Sequence, residues 1–265
     1  MQEAYDTLLI TSAIAPSPQT FKLRLTDPAE RALQTVAACL GWTQYPWLRR
    51  VVICDGTGSE QVLRPLVPLF EEHGIALELL GFQQDAGLVE AFGKGYGEGA
   101  IIAYAISRSR LLADAPSFYK VTGRLFVKEF SHLPAYGGAQ LPTFALEFGR
   151  ARQVLLSLVH KTLPPSALRV LPRRIREIVN PGVSTVFWHS PRDYFLRFLQ
   201  DAYLGANDRE RCFVEYAVLP RLLKNGVRRF QSKICVVGES GTRDRSYSGG
   251  VLPAHWLRAA HELLA

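Results

Sequence analysis

The chain has 265 residues, enough for one large α/β domain, and its mix of 48% apolar and 21% charged residues is that of an ordinary globular protein. No run of about 18 uncharged apolar residues occurs, which excludes a spanning helix. The four cysteines, Cys39, Cys54, Cys212 and Cys235, form no CxxC pair, which argues against zinc. The formal charge of +7 points to an anionic partner: a nucleotide diphosphate, a nucleic acid or an anionic membrane surface.

The first six residues carry Glu3 and Asp6 where a signal peptide needs basic residues, so a cytoplasmic location is expected. Thr7 to Ile14 reads as a buried strand. Thr26-Asp27-Pro28 is a helix start, and Ala32, Leu33, Val36, Ala37 and Leu40 continue it at helical spacing until Pro46. Arg49 to Gly58 reads as a strand ending in a glycine-rich turn. Gln61 to His73 reads as a helix that accommodates Pro65 and Pro68 poorly, and Ile75 to Leu80 as a third strand. The pattern β-α-β-α-β with short connections predicts parallel strands wound with crossover helices. Ligands bind such sheets beyond the carboxyl ends of the strands, so Asp55 and Asp85 are placed on one rim.

A helix is predicted from about Gly97 to Leu112. Phe118 to Val127 is strand-like on both sides of Thr122-Gly123-Arg124. Val183 to His189 is a further strand, Pro191–Tyr203 and Asp208–Leu219 are helices, Ser232–Val237 is the last strand, and Ala254–Leu264 the last helix. No internal repeat or low-complexity linker interrupts the chain, which predicts one domain.

Asp55-Gly56-Thr57-Gly58-Ser59 ends a buried strand, where an acid can accept hydrogen bonds from a base or a ribose; the same residues also suit a plain turn. Gly93-Lys94-Gly95-Tyr96-Gly97 precedes a helix whose N-terminus would favour an anion, with Lys94 adding charge; the bland alternative is a flexible turn. Lys120 and Arg124 interrupt an apolar strand, and burying them without partners would cost several kcal/mol. A protein carboxylate or a ligand phosphate must face them. Ser240, Arg243 and Arg245 stand in a glycine-flanked segment after the last strand, where backbone N–H groups and two guanidiniums can surround a diphosphate. Glu215, among Phe213, Val214, Tyr216 and Ala217, is placed to be a desolvated general base or a solvated helix-face acid, with Asp85 and Asp114 as lesser candidates. His189 reads as structural.

The order of these motifs resembles the GT-A-type glycosyltransferases of bacterial surface polysaccharide synthesis. The first strand, the amphipathic helix and Val51-Val-Ile-Cys-Asp55-Gly-Thr-Gly resemble their nucleotide-binding start. Where that family carries a DxD metal motif, this chain has Tyr119-Lys120-Val121-Thr122-Gly123-Arg124, similar to transferases lacking DxD. The resemblance implies a single wound, mostly parallel sheet with helices on both faces. It implies a nucleotide-sugar half over about residues 1–130 and an acceptor half over about 131–265. The expected reaction moves a sugar from a nucleotide-sugar donor to a saccharide or lipid-linked acceptor. Glu215, Arg124 and Lys120 are then catalytic, and Asp55, Gly56, Lys94, Thr122, Gly123, Ser240, Arg243 and Arg245 bind the donor. No cofactor is expected; a divalent metal is possible but not expected. Membrane contact is expected to be peripheral, through the basic run Arg169 to Arg176, and no specific nucleic acid is expected. A nucleotidyltransferase and a non-catalytic polyanion- or RNA-binding protein are the alternatives.

Overall fold

The computed structural model describes residues 7–128, 139–148, 150–162, 182–239 and 246–265. The first half alternates strand and helix: β1 (Thr7–Ser12), α1 (Pro28–Trp42), β2 (Arg50–Asp55), α2 (Leu66–Glu72), β3 (Ala76–Gly81), α3 (Ala86–Phe92), α4 (Lys94–Arg108), α5 (Arg110–Ala113) and β4 (Ser117–Thr122). The second half holds β5 (Phe126–Lys128), β6 (Thr143–Leu146), α6 (Arg150–Thr162), β7 (Val183–Pro191), α7 (Arg192–Phe198), α8 (Val214–Asn225), β8 (Arg228–Arg229), β9 (Cys235–Val237) and α9 (Ala254–Leu264).

Seven strands form one sheet in the order β3-β2-β1-β4-β7-β6-β8. The β1–β2, β2–β3, β1–β4 and β6–β8 pairs are parallel, while β7 runs antiparallel to both β4 and β6. Every residue of β1 is buried, because the strand is central and covered on both faces. Alternate residues serve two cores. Leu8, Ile10, Val51, Ile53, Tyr119 and Val121 pack with α1, including Val36, Ala37 and Trp42. Leu9, Val52, Cys54, Phe118 and Trp188 pack with Ile102, Ala105, Leu219 and Leu222 of α4 and α8. The expected wound sheet with a helical layer on each face is therefore what the chain adopts. β5 leaves that sheet and pairs antiparallel with β9 in a small second one.

Several boundaries differ from the sequence reading. Asp27 caps α1 as expected, its carboxylate accepting from the Ala29 N–H at 2.9 Å. The segment Gln61–His73 is broken: a short 3₁₀ turn covers Glu60–Leu63, and α2 starts only after Pro65. The glycine-rich stretch is helix rather than loop, since α4 begins at Lys94. Gly93 hinges α3 onto α4 with φ of 96°, and a Cβ there would run into the Asp208 side chain. Residues 208–212 form a turn, so the helix carrying Glu215 begins at Val214, and it continues past Pro220 to Asn225. The predicted strand Ser232–Val237 shrinks to Cys235–Val237. β6 and α6 went unread in the sequence.

Candidate functional site

A cleft of about 580 Å³ opens at the carboxyl ends of β1 and β4, within the size range of small-molecule sites. Its floor comes from Thr11 and Ser12 of β1 and from Thr122, the last residue of β4, with Gly123 and Arg124 after it. Thr11 and Thr122 are paired across the two strands, and the Gly123 N–H continues the ladder by donating to the Thr11 carbonyl at 2.7 Å. A Cβ on residue 123 would lie 2.6 Å from that backbone oxygen, so only glycine lets the chain turn here and carry Arg124 into the cleft. The walls come from α1, the segment 20–23, the first turns of α4 and α8, and Glu239 with Tyr247 at the rim.

Lys120, on β4, is 0% exposed. Its ammonium donates to Glu98 Oε1 at 2.6 Å, Thr122 Oγ1 at 3.1 Å and the Thr185 carbonyl at 2.9 Å. Three acceptors saturate its three N–H donors. Glu98, on α4, also accepts from Thr11 and Thr122 hydroxyls at 3.0 and 2.8 Å. Burial would raise its carboxyl, but the Lys120 charge and these hydrogen bonds outweigh it and hold it below its ordinary value. Burial pulls Lys120 downward while Glu98 pulls it up. The saturated geometry fits the charged pair, ammonium with carboxylate. Lys120 thus faces a protein carboxylate, one of the two partners the sequence left open for it, and not the cleft. It braces Glu98 and the β4 terminus.

Arg124 is 8% exposed and lines the cleft, donating to the Gln34 amide oxygen at 3.0 Å. Burial lowers its guanidinium, with Tyr247, Glu239 and Glu30 acting against that. Arg31 of α1, which sequence reasoning missed, is 7% exposed in the same cleft and donates to the Ala13 and Leu25 carbonyls. The helix pattern made Arg31 look like an ordinary solvated position; no local signal marked it.

Glu215 opens the first turn of α8 and lines the cleft, accepting from Thr185 Oγ1 at 2.9 Å. Desolvation raises its carboxyl above the usual range, against the Thr185 hydrogen bond. Asp208 lies against the α4 N-terminus and accepts from the Gly95 N–H at 3.3 Å. Burial raises it as well. A protein carboxylate therefore holds the helix end where the sequence reading expected a ligand anion. Lys94 is exposed at the cleft wall.

Asp55 is a correction of a different kind. It ends β2 two strands from Thr122, a separation of roughly 10 Å at ordinary strand spacing. Its carboxylate is nevertheless fully buried, accepting from the N–H groups of Ile14 at 2.9 Å, Thr57 at 2.8 Å and Ser59 at 3.1 Å. Asp55 ties the β1 and β2 loops together and is not among the residues lining the cleft; neither is Gly56, which packs on Ile101. Asp85 caps α3 through the Leu88 N–H, and Asp114 is exposed beyond α5. Ser240, Arg243 and Arg245 lie outside the described residues, as does the run Arg169 to Arg176. The structure thus brings together Glu215, Arg124, Thr122, Gly123 and Lys94, and adds Glu98, Arg31 and Asp208.

Thr122, Gly123 and Arg124 bring no carboxylate to the cleft floor, and the Arg124 guanidinium there repels a cation. Among the described residues no group of three His, Cys, Asp or Glu side chains is placed to hold one.

No family model matches the sequence, and no curated protein does either. Solved structures do match in fold. The galactosyltransferase LgtC, solved with donor and acceptor sugar analogues, superposes with a TM-score of 0.52 at 10% identity, covering 97% of this chain and 95% of that one. HddC from Yersinia pseudotuberculosis gives 0.51 at 9% identity over 97% and 99% of the two chains. The mannosyltransferase Ktr4p from S. cerevisiae gives 0.50 at 9% identity over 96% and 74%. This chain therefore has the α/β fold of GT-A-like transferases.

Proposed function

We infer that the protein is a glycosyltransferase that takes a sugar from a nucleotide-sugar donor, and that it does so without a divalent metal. The carrying observation is the cleft at the carboxyl ends of β1 and β4, where a desolvated carboxylate and a nearly buried guanidinium face one cavity. Two solved structures of this fold are by name a galactosyltransferase and a mannosyltransferase, which supports the donor class. A saccharide or lipid-linked hydroxyl is the acceptor.

In this reading Glu215 takes the proton of the acceptor hydroxyl as its oxygen bonds to the anomeric carbon. The bond from that carbon to the phosphate oxygen breaks, and the departing phosphate gains negative charge. Arg124 meets that charge with a fork of N–H donors fixed in advance by Gln34, which favours the transition state over the ground state. Glu98 and Lys120 keep the β4 terminus and the Thr122 hydroxyl in place. Sugar transfer fits Glu215 better than nucleotidyl transfer or passive anion binding, because a carboxyl raised by desolvation suits proton removal from a neutral hydroxyl.

The test is a thermal-shift screen against UDP-, GDP-, CMP- and dTDP-sugars. One nucleotide class should raise the melting temperature by several degrees. With that donor, Arg124→Lys should lower turnover about a hundredfold while changing donor affinity only a few-fold, because the lost contact strengthens as charge develops. No stabilisation by any sugar nucleotide, with salt-sensitive retention of RNA instead, would replace this reading with the polyanion-binding one.

A further inference from the structure

We propose that Arg31 and Arg124 together form a two-guanidinium clamp for a diphosphate, with the hydroxyls of Ser12 and Thr20 as additional donors, at the base of the cleft. The proposal rests on the donor class argued above but concerns the anion alone. All four residues line the same cleft, and all four are nearly buried, at 7%, 8%, 4% and 5% exposure in that order.

Buried arginines in proteins are normally matched by carboxylates. These two are not: among the described residues neither has an ion-pair partner. A guanidinium carries five N–H donors. Arg31 uses Nε and Nη1 on backbone carbonyls, and Arg124 uses Nη1 on the neutral Gln34 amide. Their remaining donors meet no protein acceptor among the described residues.

The acids nearby are otherwise engaged or peripheral. Asp55 faces Arg31 electrostatically, yet both its oxygens hold backbone N–H groups. Glu239 and Glu30 influence Arg124, but each is hydrogen-bonded to the Gln34 amide, Glu30 at 2.8 Å and Glu239 at 3.5 Å. Tyr247 shares the rim with Glu239. Burial first, and then the Arg124 charge, lower Arg31 to about 9, so the two cations repel each other. Ser12 Oγ and Thr20 Oγ1 are buried with no hydrogen-bond partner. Buried donors without acceptors are costly, and the repulsion between the two cations adds to that cost. One ligand class removes both costs: a compact, multiply charged oxyanion. A diphosphate offers enough acceptor oxygens to meet two planar forks and two hydroxyls at once.

Isothermal titration with inorganic pyrophosphate tests this, with orthophosphate, UDP and GDP as parallel arms. Wild type should bind pyrophosphate more tightly than orthophosphate, and a nucleoside diphosphate more tightly still if the base is also recognised. Arg31→Gln and Arg124→Gln should each weaken pyrophosphate about tenfold or more, since each removes a charge-assisted pair of hydrogen bonds. Arg31→Lys, which keeps the charge, covers the case in which Arg31→Gln does not fold, and should still weaken binding several-fold. Ser12→Ala should weaken binding a few-fold while leaving the melting temperature unchanged or higher, because its hydroxyl has no partner to lose. Failure of wild type to bind pyrophosphate, or folded Arg31 variants that bind it like wild type, overturns the clamp. The two readings fail separately. Pyrophosphate binding as described with no nucleotide sugar bound leaves the clamp standing and removes the transferase; sugar transfer untouched by Arg31→Lys does the reverse.

Discussion

Glu215 shows how one residue couples chemistry to stability. Its carboxyl is raised by desolvation, so its charged form is disfavoured in the fold relative to the unfolded chain. The sign follows: the penalty is absent below the ordinary glutamate value, grows as pH rises from there, and is complete above the raised value. Glu215→Gln keeps an acceptor for the Thr185 hydroxyl and removes the charge. It should raise the melting temperature at neutral pH by roughly 2 °C, an advantage that vanishes as pH falls and wild type protonates. The same substitution should lower kcat/KM by about a hundredfold or more, as loss of a general base does. In wild type, kcat/KM should climb with pH through a value above the usual glutamate range. A melting temperature that drops in the variant at neutral pH would mean that the glutamate is stabilising and not a strained base. At this scale the sequence was a partial guide. It flagged Glu215 and Arg124 because charges among apolar neighbours need a reason. It left open what Lys120 faces and set Asp55 against the ligand, because the identity of a partner 22 residues away, or of three backbone N–H groups, is not written in local spacing.

Among elements, periodicity served well where a helix or strand has one polar side and failed where packing overrides propensity. α1 was legible from its cap and apolar spacing, and α9 has the bounds expected of it. The start of α4 was not legible, because three glycines in its first six residues, Lys94 to Gly99, read as a loop. They are helical since Gly95 packs on Val214 and Gly99 on Tyr203, contacts that larger residues would block. A similar close approach joins α1 to α9: a Cβ on Gly41 would lie 2.6 Å from the Trp256 ring and 2.9 Å from Phe126. Gly41→Val should therefore lower the melting temperature by about 5 °C, overpacking outweighing any gain in helix propensity. An unchanged or higher value would show that α9 shifts freely. β7 supplies a second prediction. His189 is fully buried beside Tyr119, and burial, with Arg228 as a lesser cause, lowers it to about 3. It folds neutral and charges on unfolding, so stability should fall with acidity from about pH 6.5 downward, at up to about 1.4 kcal/mol per pH unit from this group. His189→Phe should flatten the denaturant-measured stability across that window by one proton's slope; an unaltered slope would show that the imidazole is charged in the fold.

Across the whole molecule, the β-α-β-α-β rhythm from Thr7 to Leu80 predicted a wound sheet and the rim on which its cleft opens. The later chain was harder to read, since β6, β8 and β9 are two to four residues long and take their partners from distant segments. No helix among the described residues is long and apolar enough to cross a membrane. We propose that any membrane contact is peripheral and carried by the basic run Arg169 to Arg176. Sedimentation with anionic liposomes should then be abolished by high salt, and retention in high salt would contradict it. The central claim is that cationic side chains, rather than a metal, take up the charge of the departing phosphate. Release of free nucleotide from the donor identified by thermal shift, measured in excess EDTA, tests it most directly. The account predicts turnover close to that without chelator. Complete loss of turnover in EDTA, restored by manganese, would contradict it.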